Sequence, residues 1–471
     1  MSAFEWTDRA VREALGPSVA GTTEGLRFTG VSTDTRSLRG GELFVALKGP
    51  NWDGHAFVDR ALAKGAGAVV VSDSTILSPG LPAYRVPDTL VALGALARHR
   101  RRTLDATVVA ITGSSGKTTV KELLRAALEP DVRVHATLEN RNNRVGLPQT
   151  LLAAPDQADY VVVELGTSEV GEIAALAGIA EPDLGVVTTV TEAHLEGLGS
   201  FSGVIREKLA LVSGLAREGS ALVGDTPPEL PEAARAIRPD VNVAGFSERS
   251  TSGLLGIRGE PDAEGRVPFR FLDHNVIPGL PGGHGAFNTL LALAAVHLLG
   301  RPVGPAVERV RSVRPSGMRG ELLRFGRLRV IADCYNANPQ STAAALDHLA
   351  SLGSSGPRVA VLGSMLELGE RSDTLHREVL RAALALPIDH FVLVGEFGRA
   401  ARELGTDDDA RVSPAEDTAE ATDLVGALLE GDEVVLLKAS RGVALEAILP
   451  SLEKRFVLDA REDTDRDGGG S

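Results

Sequence analysis

Apolar residues in this chain come as short β-branched runs alternating with stretches of helical spacing. Val108, Val109, Ala110 and Ile111 run into Thr112-Gly113-Ser114-Ser115-Gly116-Lys117-Thr118-Thr119, after which Val120, Leu123, Leu124, Ala127 and Leu128 recur every three or four positions. That order predicts strand, tight glycine turn and helix. Upstream, residues 42–47 and 66–71 read as strands, 57–65 as a helix closed by Gly65, and 91–102 as a helix ending on basic residues. Downstream, 160–165 and 184–190 are strand-like and 202–216 helical. Over 217–280 the pattern weakens and turns β-like, before an apolar helix at 286–299. Strand-like runs then recur at 328–333, 358–363, 391–395 and 433–437, separated by helical spacing.

This alternation predicts an α/β protein of three units. The first covers residues 1–105. The second covers 106–313, with a mostly parallel sheet around the glycine turn. The third covers 314–460 and is a Rossmann-like, doubly wound domain. Residues 461–471, rich in Asp and Gly, are expected to be a disordered tail.

Composition narrows the partners rather than the fold. A formal charge of −14 disfavours nucleic acid as a bulk partner but permits a local basic cleft for phosphates. A single cysteine, Cys334, excludes an internal disulfide, and no Cys/His spacing suits zinc. Glu5, Asp8, Arg9 and Arg12 argue against a signal peptide, and the longest apolar run, 290–299, is too short to span a bilayer. A cytoplasmic protein with no membrane insertion is expected.

Chemistry concentrates in the glycine turn. Gly113, Ser114, Ser115, Gly116 and Thr119 supply small residues whose backbone N–H groups can converge on phosphate oxygens at a helix N-terminus. Lys117 adds a cation for the terminal phosphates and Thr118 a hydroxyl for Mg²⁺. The usual first glycine of such a loop is replaced by Ile111. A strand that ends on Glu164 puts a carboxylate where α/β sheets place ligands, a second Mg²⁺ candidate. His194 alone reads as a structural histidine, Lys208 as a surface lysine lying along apolar neighbours, and Ser32-Thr33-Asp34-Thr35-Arg36 as a solvated turn.

Several of these segments together resemble the Mur ligases of bacterial cell-wall synthesis. The matches are the loop 112–119, Asn142-Asn143 with Gly146 and Pro148, and Glu164-Leu165-Gly166 with Gly171-Glu172-Ile173. Ala193-His194-Leu195-Glu196 with Lys208 follows, then Leu280-Pro281-Gly282 with His284 and Asn288. The resemblance implies an ATP-dependent carboxylate–amine ligase using two Mg²⁺ ions. Thr118, Glu164 and His194 would be metal ligands, with Lys208 carrying a CO₂-derived carbamate. It also implies Asn288 at the adenine, Asp333 at the ribose and Arg319 at the γ-phosphate. Ser32, Asp34, Thr35, Arg36 and Lys48 resemble the uridine-binding part of members that extend the peptide. Asp333-Cys334-Tyr335-Asn336-Ala337-Asn338-Pro339 is similar to members that add D-alanyl-D-alanine to UDP-N-acetylmuramoyl-tripeptide, with Tyr335, Asn336 and Asn338 at the substrate. The sequences expected of members adding the third residue, Ala-His-Thr-Pro and Asn-Pro-Arg, are missing. Gly285, Ser364 and Ala439 depart from the family's usual Asn, Asp and Gly. A monomer is expected; the alternatives are the ligase adding the third residue and, in another class, a P-loop NTPase switch or kinase.

Overall fold

Parallel strands buried on both faces need apolar runs without alternation, and the run at 107–112 is one. In the computed structural model, which describes residues 4–16, 20–21, 24–49, 51–72, 81–262, 264–353 and 356–458, Thr107–Thr112 lies inside a six-stranded sheet. Its order is Asn242–Ala244, Ser220–Gly224, Leu184–Val187, Thr107–Thr112, Tyr160–Glu164, Val134–Ala136, and every pairing is parallel. After Tyr160–Glu164 the chain crosses to the other side of Thr107–Thr112. That reversal opens a crevice at the C-terminal strand ends, the place where such sheets bind ligands. Helices Lys117–Leu128 and Gly282–Leu298 cover one face with a buried cluster that includes Leu123, Leu124, Leu290 and Leu291. Glu172–Ala180 and Phe201–Ser213 cover the other.

The N-terminal unit carries a five-stranded sheet ordered Ala20–Gly21, Ala83–Arg85, Ala68–Val71, Leu43–Val45, Val31–Ser32, antiparallel only at its first pair. Helix Thr89–Arg102, whose N-cap Asp88 accepts from Leu90 N and Val91 N, packs on helices Gly146–Leu152 and Glu172–Ala180 of the central unit. The C-terminal sheet runs Glu321–Phe325, Leu328–Asp333, Val434–Lys438, Arg358–Leu362, His390–Val394, Val412–Ala415, with only the first strand antiparallel. One contiguous apolar cluster contains both Leu195 and Leu198 of the central unit and Met365, Leu368 and Leu375 of the C-terminal one.

Several elements differ from the sequence expectation. The weak stretch after residue 217 contains a full strand–helix–strand, Ser220–Gly224, Glu229–Ile237 and Asn242–Ala244, which completes the central sheet. A three-stranded antiparallel patch, Ile257–Arg258, Phe269–Phe271 and His274–Val276, follows and also matches the β-like reading there. The two outer strands of the C-terminal sheet went unread because one alternates between half-buried and exposed positions and the other contains Pro414, which only an edge tolerates. The expected tail at 461–471 lies outside the described residues.

Candidate active site

The strand continues through Ile111 to Thr112, so the loop proper is only Gly113 to Gly116. This is why Ile111 replaces the usual glycine: it is a fully buried strand residue. Gly113 has φ 149°, and a Cβ there would lie 2.0 Å from Thr188 Oγ1. Gly116 has φ 83°, and its Cβ would lie 2.4 Å from Asn288 Oδ1. Neither position admits a side chain. Ser114 N donates to Thr189 O at 2.7 Å and Thr188 Oγ1 to Ser115 O at 2.5 Å, which pins the loop on the neighbouring strand's continuation. Lys117 Nζ donates to Gly113 O at 2.8 Å. Burial pushes its amine below the ordinary lysine value, as does nearby Arg319, against Glu164.

Thr118 Oγ1 donates to Glu164 Oε2 at 2.7 Å and Asn142 Nδ2 to Oε1 at 2.8 Å, so two oxygen donors for a hard cation stand side by side. Lys208 is not the surface lysine its neighbours suggested. It is 0% exposed on helix Phe201–Ser213, and its Nζ has no hydrogen-bond partner among the described residues. Burial pushes this amine well below its ordinary value; Lys117 adds to the effect, and Glu207, Glu172 and Glu164 oppose it.

A cavity of about 560 Å³ opens between the central and C-terminal units. Thr118 and Thr119 form one wall, Arg319, Asp333 and Tyr335 another, and His284 and His348 stand among its apolar residues. Asp333 bonds Lys438 Nζ at 2.9 Å, and burial raises its carboxyl despite that partner. Asn288 is buried against Gly116 and is not among the wall residues. A hollow of about 860 Å³ at the opposite strand ends, bordered by Phe4, Arg133 and Arg301, holds none of the expected site residues.

Three family models match in succession: Mur ligase family, catalytic domain over 27–135; Mur ligase middle domain over 111–296; Mur ligase, glutamate ligase domain over 318–441. The UDP-N-acetylmuramoyl-tripeptide--D-alanyl-D-alanine ligase of Bacillus subtilis is 35% identical over 431 residues, 90% of this chain and 93% of that protein. The chain is a Mur ligase. The Escherichia coli protein of the same name is also 35% identical, over 90% of this chain and 93% of its own. The structure of MurF from Acinetobacter baumannii superposes with a TM-score of 0.86 at 28% identity, covering 96% of this chain and all of that one. MurF ligase from Thermotoga maritima, solved with ADP, gives 0.79 at 27% identity, covering 90% and 97%.

In this Mur ligase the remaining candidates fall into two groups. Ser32, Asp34, Thr35 and Arg36 share one turn: Arg36 bonds Asp34 Oδ2 at 2.7 Å and holds that carboxyl below its usual range. Lys48, on the adjoining loop, pairs with Asp53 at 3.8 Å. Thr33 Oγ1 accepts from Gln149 Nε2 at 2.8 Å, which brings the turn against the central unit. In the C-terminal unit Asn338 caps helix Pro339–Ser351, its Oδ1 accepting from Ser341 N at 2.8 Å. That oxygen is committed to the helix N-terminus, and the side chain is 5% exposed. Tyr335 and Asn336 stay partly or fully open.

His194 lies at φ 54°, and its Nδ1 bonds Glu367, itself at φ 64°, across the unit boundary; Arg371 and Glu192 form a second ion pair beside them. Two non-glycine residues in the left-handed region, touching each other, mark stored backbone strain at the seam. Glu367 was missed, as were His348 and Lys438, because only tertiary contact brings them to His194, to the cavity wall and to Asp333 respectively. His348 is pushed down to about 4, first by burial and then by His284, with Asp333 opposing. Free imidazole titrates near about 6.5, so below that pH the unfolded chain takes up protons that the folded one refuses. Stability present above about pH 6.5 is therefore lost as pH falls toward 4. His348→Gln should flatten the dependence of the thermal midpoint on pH across that window; an unchanged slope would assign this imidazole to open solvent.

Proposed function

We propose that this chain joins D-alanyl-D-alanine to UDP-N-acetylmuramoyl-tripeptide, with ATP consumed, as a cytoplasmic monomer in peptidoglycan precursor synthesis. The carrying observation is the match, over nine-tenths of the chain, to ligases named for that reaction. Its organisation is read as a UDP-sugar unit to about residue 105, an ATP unit to about 313 and a ligase unit to about 460.

The tripeptide's terminal carboxylate attacks the γ-phosphorus of ATP and ADP leaves. The amine of the acceptor then attacks the acyl carbon, a proton is lost and phosphate departs. Each step brings anions together, so its barrier is electrostatic. The loop N–H groups and Lys117 hold the phosphates from the central unit, while Arg319 meets them from the C-terminal unit. Asp333 takes the ribose, Asn288 the adenine edge, and Asn336 the acceptor. Ser32, Asp34, Thr35, Arg36 and Lys48 take the uridine end. Thr118 and Glu164 fit one Mg²⁺, which when bound offsets phosphate charge. Mg²⁺ takes few protein ligands and keeps several waters or phosphate oxygens, which suits a pair of oxygen donors such as these. His194 and Lys208 would serve a second ion. The orphaned, buried Lys208 amine suits modification by CO₂, since a carbamate would replace a repelling cation with two oxygens.

Phosphate release from ATP, measured with UDP-muramoyl-tripeptide and a panel of amines, tests the assignment. D-alanyl-D-alanine should support turnover, whereas free lysine or diaminopimelate should not. Addition of a single amino acid to the UDP-muramoyl-dipeptide would instead place the chain one step earlier.

A further inference from the structure

We propose that Tyr335 is a positioning residue: its ring holds the Arg319 guanidinium flat, keeping the fork of N–H donors free for the terminal phosphate. The proposal rests on the reading of Arg319 given above. Arg319 Cζ lies 3.7 Å from the centroid of the Tyr335 ring, against 4.3 Å to 6.0 Å for the other cation–ring pairs among the described residues. No carboxylate pairs with Arg319 among those residues. Asp333, whose charge it feels, is held by Lys438, and Glu446 lies 3.4 Å from Arg441. A guanidinium over a ring is attracted through its flat face, whereas its five donors radiate in its plane. A carboxylate holder would occupy two of those donors and cancel the charge. A ring does neither.

The arrangement needs a holder for two reasons. Gly317, Met318 and Gly320 all have positive φ (62°, 59° and 81°), so Arg319 sits in an irregular link between helix Val303–Val310 and strand Glu321–Phe325. Arg319 is also near enough to Lys117 to push that amine down, so without an anion between them the two cations repel. The backbone already ties this link to the ring's own strand: Tyr335 N donates to Met318 O at 3.2 Å and Gly320 N to Ala332 O at 3.0 Å. The arginine and its platform therefore belong to the C-terminal unit and line the same cavity as Thr118 and Thr119 of the central unit.

The test is steady-state kinetics on the full chain with ATP, UDP-muramoyl-tripeptide and D-alanyl-D-alanine. Tyr335→Leu should lower kcat about tenfold with little change in the acceptor KM. Tyr335→Phe, which keeps the ring, should recover most of that loss. In an Arg319→Ala background Tyr335→Leu should cost nothing more, because the interaction it removes is already gone. A loss confined to the acceptor KM would make the ring an acceptor contact and overturn the proposal. So would a tenfold loss that persists without Arg319. Arg319→Ala that leaves both kcat and the ATP KM unchanged would instead remove the phosphate role of the arginine itself, a separate result that also ends the proposal.

Discussion

Lys208→Ala should be nearly inactive, down roughly 10³-fold in kcat, and millimolar short-chain carboxylates should restore part of the activity. The amine is fully buried, has no hydrogen-bond partner among the described residues, and is pushed well below its ordinary value by burial and by Lys117. A downward shift favours the neutral amine, which is the form that adds to CO₂. The nitrogen attacks the carbon and gives up a proton, leaving an anionic carbamate where a cation would repel Mg²⁺. Acetate or formate could occupy the oxygen positions emptied in the alanine variant. Lys208→Arg keeps a permanent cation there and should stay inactive with or without them. Enzyme equilibrated with ¹³C-labelled CO₂ should show a carbamate carbon resonance that Lys208→Ala lacks. Full activity of Lys208→Arg, or no such resonance in active enzyme, would sink the assignment.

Lys117→Ala should abolish ligation to a similar degree, roughly 10³-fold or more, while UDP-substrate binding changes little. The amine is held at 2.8 Å from Gly113 O on a loop whose glycines leave no room for a side chain. The turn at Ser32-Thr33-Asp34-Thr35-Arg36 belongs to another sheet, so loss of the cation should not disturb it. Calorimetric titration with the UDP-tripeptide beside an ATP turnover assay separates the two. Wild-type turnover at saturating ATP would refute the role of Lys117, and lost UDP-substrate binding would show that the units do not act separately.

The sequence by itself determined the elements whose information is local. The run from Val108 to Leu128 contains strand, turn and helix within a few residues of one another, so periodicity and glycine placement sufficed. The C-terminal strands Leu328–Asp333, Arg358–Leu362, His390–Val394 and Val434–Lys438 were legible for the same reason: buried parallel strands need unbroken apolar runs. Edge strands, half exposed or interrupted by proline, carry no such signal, and Glu321–Phe325 and Val412–Ala415 went unread. Only the tertiary structure decided the state of Lys208, since a lysine among apolar helix neighbours is equally consistent with a solvated surface. It also decided that Glu367 reaches His194 and that Tyr335 lies under Arg319. Each of those depends on residues brought together from separate elements, a proximity that no spacing along the chain encodes.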